Sequence, residues 1–101
     1  MATRPYSETL KEVLKDPKDV AEYLGVVLKE EDEAGFLVAL RNIAEVRGMA
    51  EVAKLAGVGR ESLYKTLSEN GNPKLSTLVS VLHGIGIRLS FEPENDGHAA
   101  R

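Results

Sequence analysis

The sequence predicts an all-helical domain with one short strand near its C-terminal end. Three observations carry that expectation. Apolar residues recur at helical spacing in successive segments from residue 17 to residue 85. Short Gly, Pro and Asn signals separate those segments, with no long polar linker between them. Only residues 87–92 alternate apolar and polar with period two.

The elements follow in order. Residues 7–15 form a short, weakly amphipathic stretch with Leu10, Val13 and Leu14 on one side. Asp16-Pro17 is a helix start: Asp16 caps, and proline at the first helical position lacks an N–H that would go unpaired anyway. Val20, Leu24, Val27 and Leu28 continue it at helical spacing. The run Glu30-Glu31-Asp32-Glu33 then breaks the pattern, as a solvated junction or as negative charge favouring the start of the next helix. That helix covers 33–47, with Phe36, Leu37, Leu40, Ile43 and Ala44 inward and Arg41, Glu45 and Arg47 outward. Gly48 ends it. A short helix at 49–56 carries apolar Val52, Ala53 and Leu55, and another at 60–68 turns Leu63 and Leu67 inward. Asn70-Gly71-Asn72-Pro73 is a dense turn signal. Ser76 is the expected N-cap of a last helix with Leu78, Val79, Leu82 and Ile85, closed by Gly84 and Gly86. Ile87, Leu89 and Phe91 make the apolar side of the strand. Residues 93–101 are expected to be a disordered tail.

Composition narrows the class. The chain of 101 residues has room for one modest core, and 43% hydrophobic with 29% charged residues is ordinary for a globular protein. With no cysteine, a disulfide scaffold, a thiolate zinc site and a cysteine nucleophile are excluded, which suits a reducing cytoplasm. No apolar run approaches the ~20 residues of a membrane helix, and the N-terminus lacks the apolar stretch of a signal peptide. The net charge is −3, but it is unevenly placed. Residues 1–35 carry five Lys/Arg against nine Asp/Glu, residues 36–91 carry seven against four, and residues 92–101 carry one against three. An acidic protein still binds an anion when its basic side chains share a face.

Residues 49–68 are the informative segment. Two helices crossing steeply through a very short turn need a small side chain where they meet, supplied by Ala53. The turn needs a residue tolerant of positive φ, supplied by Gly57. Val58 plugs the angle between the helices, while Val52, Leu63 and Leu67 face the core. The second helix then presents Arg60, Glu61, Tyr64, Lys65 and Ser68 outward: donors, an aromatic ring and positive charge, as a helix that reads a DNA groove requires. Gly59 stands beside them, and Asn72 and Lys74 are placed to approach phosphate. Tyr64 either joins the groove contacts or covers the core edge. Glu61 either accepts from a cytosine amino group or tunes Arg60.

These residues resemble the helix-turn-helix of the phage-repressor family, of lambda or Xre type, with Ala53, Gly57, Val58 and Leu63 at its signature positions. A closer resemblance spans roughly residues 10–92. Asp16-Pro17, Ala21-Glu22-Tyr23-Leu24, Phe36-Leu37-Val38-Ala39-Leu40-Arg41, Arg60-Glu61-Ser62-Leu63-Tyr64, Leu67-Ser68-Glu69-Asn70-Gly71-Asn72-Pro73 and Leu75-Ser76-Thr77-Leu78 look like the probable addiction-module antidote family of HigA-type antitoxins. The resemblance implies a lambda-repressor-like five-helix fold, with the helix-turn-helix domain at residues 33–92 and residues 1–32 as an acidic helical extension. It implies a homodimer that represses its own operon by binding double-stranded operator DNA. It also implies a RelE/HigB-like ribonuclease toxin as partner. No cofactor and no metal are expected. The acidic front of the chain complements a basic toxin, and the helix at 17–28, with Tyr23 and Val26, offers an apolar anchor.

Other readings are narrower. A stand-alone prophage-type regulator would share the DNA site but have no toxin. A protein-interaction module would keep the fold without DNA. Gly57-Val58-Gly59-Arg60-Glu61-Ser62 misses the dinucleotide-binding pattern, since Ser62 holds the last position and no strand precedes it. His83 and His98 are too far apart for a metal site or a catalytic triad, so no enzyme is expected.

Overall fold

The structure, a computed structural model, describes residues 16–30 and 32–94. The stretch at 7–15, Glu31, and the tail from residue 95 with His98 lie outside the described residues. The described chain forms five helices: α1 (Pro17–Glu30), α2 (Glu33–Arg47), α3 (Met49–Ala56), α4 (Arg60–Thr66) and α5 (Leu75–Gly84). No helix among them is long and apolar enough to cross a membrane.

Each boundary has a local cause. The Lys18 N–H donates to the Asp16 carboxylate at 3.0 Å, so Asp16 caps α1. Asp32 does the same for α2, accepting from the Gly35 N–H at 2.9 Å. The acidic run at the α1–α2 junction thus contains a specific cap as well as a favourable charge at a helix N-terminus. Gly48 alone joins α2 to α3: its N–H donates to the Ala44 carbonyl and its carbonyl accepts from the Val52 N–H.

One core serves all five helices. Val20 and Leu24 enter it from α1, Leu37, Leu40 and Ile43 from α2, Val52 and Ala53 from α3, Leu63 from α4, and Val81 and Leu82 from α5, joined by Leu67 and Ile85. No polar side chain among the described residues is fully buried. α1 lies against α2, and α3 lies against α5, where a Cβ on Gly84 would already touch Val52 and Leu55 at 3.6 Å.

Several expectations are corrected. Residues 87–92 are not a strand. A strand exists through ladder bonds to a neighbour, and no strand occurs elsewhere among the described residues to supply them. Ile87 instead finishes α5, its N–H donating to the Leu82 carbonyl at 2.8 Å while its side chain packs on the core. Ser76 is not the cap of α5. The helix begins at Leu75, because Lys74 is extended and its carbonyl already accepts from the Leu78 N–H. α4 stops at Thr66 instead of Ser68, because Leu67 leaves helical geometry at φ −97°, ψ 19°. Leu28, Leu55 and Val79, which the sequence groups with the apolar residues of their helices, are exposed. Arg41, expected outward, is half-buried along the core edge, and its Nε has no hydrogen-bond partner.

Two glycines make an informative contrast. Gly57 sits at φ +74°, yet a Cβ there would meet nothing within 4 Å. Gly71 needs no left-handed backbone, but its Cβ would overlap the Thr66 carbonyl oxygen and come within 2.6 Å of the carbonyl carbon. Gly57→Ala is therefore expected to cost about 1 kcal/mol, and Gly57→Asn less, because asparagine tolerates that backbone. Gly71→Ala should cost about 2 kcal/mol and Gly71→Asn at least as much, since the conflict is steric and with backbone. Urea unfolding midpoints check this; asparagine rescuing position 71 but not 57 would reverse the assignment.

Candidate nucleic-acid interface

α3, the Gly57-Val58-Gly59 turn and α4 form the unit singled out in the sequence. The turn is held by its own backbone. The Gly57 N–H donates to the Lys54 carbonyl at 3.1 Å, and the Val58 N–H to the Ala53 carbonyl at 3.0 Å. This bond pair, with the intervening residue left-handed, is the Schellman arrangement that closes a helix and redirects the chain. Ala53 is buried, as a close approach requires, and Val58 packs half-buried against the core. Gly59, extended at φ −75°, ψ 153°, starts α4, and its carbonyl accepts from the Leu63 N–H.

On α4, burial separates two faces. Leu63 is fully buried and so is Leu67 just beyond the helix, whereas Arg60, Glu61 and Lys65 are exposed. Arg60 and Tyr64, and likewise Glu61 and Lys65, stand four residues apart and so lie on adjacent turns of one side. Tyr64 divides itself between the two faces, half-buried against the core.

The remaining expected site residues lie at the far end of α4. Ser68 follows the helix, half-buried, and its Oγ donates to the Lys65 carbonyl at 2.8 Å, so this hydroxyl first serves to close the helix. The Gly71 N–H donates to the Ser68 carbonyl at 2.8 Å, which folds the 68–71 turn against Thr66. Asn72 and Lys74 are exposed on the next stretch, leading into α5. The structure thus gathers Gly59, Arg60, Glu61, Tyr64 and Lys65 on one short element, and sets Ser68, Asn72 and Lys74 beyond its C-terminal end. Asn72 also lines an apolar groove of about 520 Å³ with Leu28, Phe36 and Leu89. Sequence reading missed that groove because its walls come from separate segments, and no local pattern joins them.

The model of the probable addiction module antidote protein family matches residues 6–93. The chain belongs to this family. A protein of Haemophilus influenzae, described as uncharacterized, is 35% identical over 81 residues, covering 80% of this chain and 84% of that one. No solved structure matches the chain. An antidote family implies a toxin as partner.

The whole of α4 hangs on its buried side. Leu63→Ala should destabilise the protein by about 2–5 kcal/mol through lost burial and the cavity left behind. Ser68→Ala removes one hydrogen bond near the surface and should cost about 1 kcal/mol or less. Denaturant unfolding distinguishes them, and equal costs would mean that the hydroxyl, not the leucine, anchors the helix.

Proposed function

We propose that the chain is the antitoxin of a type II toxin–antitoxin pair. It acts in the cytoplasm as a sequence-specific repressor of its own operon, and it neutralises a RelE/HigB-like ribonuclease toxin. α3 and α4 act as a helix-turn-helix of the phage-repressor type, with α4 as the reading helix. The observation that carries the DNA half is the division of α4: Leu63 anchors it while Arg60, Glu61 and Lys65 remain free at the surface. The family carries the antitoxin half.

Arg60, in the first turn, has the fork geometry that pairs bidentately with guanine in the major groove. Lys65, with Tyr64 beside it, extends the contact along the helix. Glu61 accepts from a cytosine amino group or steadies the cations next to it. Gly59, without a side chain, admits the phosphate backbone close to the turn. Ser68, Asn72 and Lys74, past the end of α4, meet the flanking backbone. The net charge of −3 favours a second reading, an interaction module that does not bind DNA. A neighbouring toxin gene separates the antitoxin from a stand-alone regulator.

On promoter DNA, Arg60→Ala should lose about 1–3 kcal/mol of discrimination at one base position. Lys74→Ala should weaken all sequences alike and flatten the salt dependence by about one phosphate contact. Fluorescence anisotropy at several salt concentrations checks both. Arg60→Ala binding the operator as well as the parent would move the reading helix elsewhere, and a parent chain with no salt-dependent binding would favour the interaction module.

One reading helix covers only a few base pairs, so two copies on a palindrome are the economical route to affinity. α5 offers a surface for the pairing. Leu75 and Val79, one turn apart, are 67% and 42% exposed, and Phe91 beyond the helix is 90% exposed. Burial of such residues in a homodimer would remove this apolar surface from water. Light scattering at micromolar concentration should show a dimer, and Val79→Asp should shift it toward monomer with weaker operator binding. A monomeric parent that binds the operator with full affinity would sink the dimer.

A further inference from the structure

Three concavities meet where α1 ends and α2 begins. The most apolar is the groove of about 520 Å³, with Phe36, Leu37, Leu78 and Leu82 lining it and Leu28 and Leu89 at its edges. Leu28 is 57% exposed and Leu89 40%. The two neighbouring hollows share Asp32 and Ala34 with each other, and each shares further lining residues with the groove. The charged side chains lining the three are Asp32, Glu33 and Glu69, all carboxylates.

Helix capping accounts for part of this charge and not for the rest. Asp32 and Glu33 stabilise the N-terminus of α2. Glu69 belongs to the turn after α4, caps nothing in this junction, and still brings its charge to the same place. The combination has a chemical meaning. An apolar side chain from a neutral or acidic partner would fill the groove but leave the carboxylates without counter-charge. An apolar side chain flanked by lysine or arginine satisfies both.

We infer that this groove and its acidic rim are the docking surface for the toxin. The partner inserts an apolar side chain between Leu28 and Leu89 and sets cationic side chains against Glu33 and Glu69. This inference rests on the antitoxin reading and says where and how the toxin is held. A toxin that cuts RNA needs exposed cations for the RNA phosphates. Carboxylates seated on those cations occupy the groups the RNA requires, so docking here would neutralise the toxin by competition for charge.

The test uses the full chain and, as probe, the purified toxin encoded beside its gene, titrated by calorimetry. Leu28→Ser should weaken binding about tenfold, the scale of one lost apolar anchor. Glu33→Lys combined with Glu69→Lys should weaken it about a hundredfold or more at low salt, and the parent should lose more affinity than this variant as salt is raised. Val26→Ser, at the exposed α1 position that the sequence offers as an apolar anchor but outside the three hollows, should stay within about twofold, and a loss as large as that of Leu28→Ser would place the anchor on α1 and overturn the groove. Melting temperatures near the parent's show that each variant is folded. If the parent binds and the groove variants bind as tightly, the surface is overturned and the antitoxin reading stands. If the parent does not bind this toxin at all, both are overturned. If the groove variants turn a dimer into a monomer by light scattering, the groove seats a second copy and the toxin inference is overturned.

Discussion

The burial of Leu63 and Leu67 is the interaction on which the rest of the structure depends. α4 is seven residues long, far below the ~12–15 at which an isolated helix becomes even marginal in water. It lacks a side-chain cap at its N-terminus, so its existence is a consequence of tertiary packing. Two leucines with no exposed surface hold it, and the left-handed Gly57 aims it. Everything that follows in the chain is referred to this short helix: Gly71 rests against its last carbonyl, and the path into α5 starts from there.

The same packing sorts charge. Sequestering the apolar side of α4 leaves Arg60 and Lys65 outward, while the packing of α1 on α2 brings Asp32 and Glu33 to a junction that Glu69 also reaches. At physiological salt, charges are felt over about 8 Å, so a partner meets local charge and not the total of −3. A small acidic chain is thereby able to offer a cationic element and an acidic groove. The antitoxin reading requires two such surfaces, for two partners of opposite charge.

Legibility in the sequence followed the range of the physics involved. The bounds of α2 and α3 were readable because Asp32, Gly48 and Gly57 act within a turn of where they stand. The inward set Val52, Ala53, Leu63 and Leu67 was readable because helical period and a steep helix crossing impose it. The outward set Arg60, Glu61 and Lys65 was readable as its complement. What was not readable depends on contacts between distant segments. Leu55 and Val79 fit helical stripes, yet the packing of α3 on α5 leaves both partly in water. Gly71 reads as a turn residue in any sequence; that it lies against a carbonyl is visible only when α4 is in place. The groove is the extreme case, since Leu28, Phe36, Leu78 and Leu89 share no local pattern.

The C-terminal segment shows what a correct pattern means when its structure is absent. Ile87, Leu89 and Phe91 alternate as strand residues do, and along them exposure rises from half-buried through 40% to 90%. One chain can bury only the first, by using Ile87 to close α5 against Leu82. Alternation states which side of an extended segment is apolar; it supplies neither the neighbouring backbone that makes the segment a strand nor the surface that covers that side.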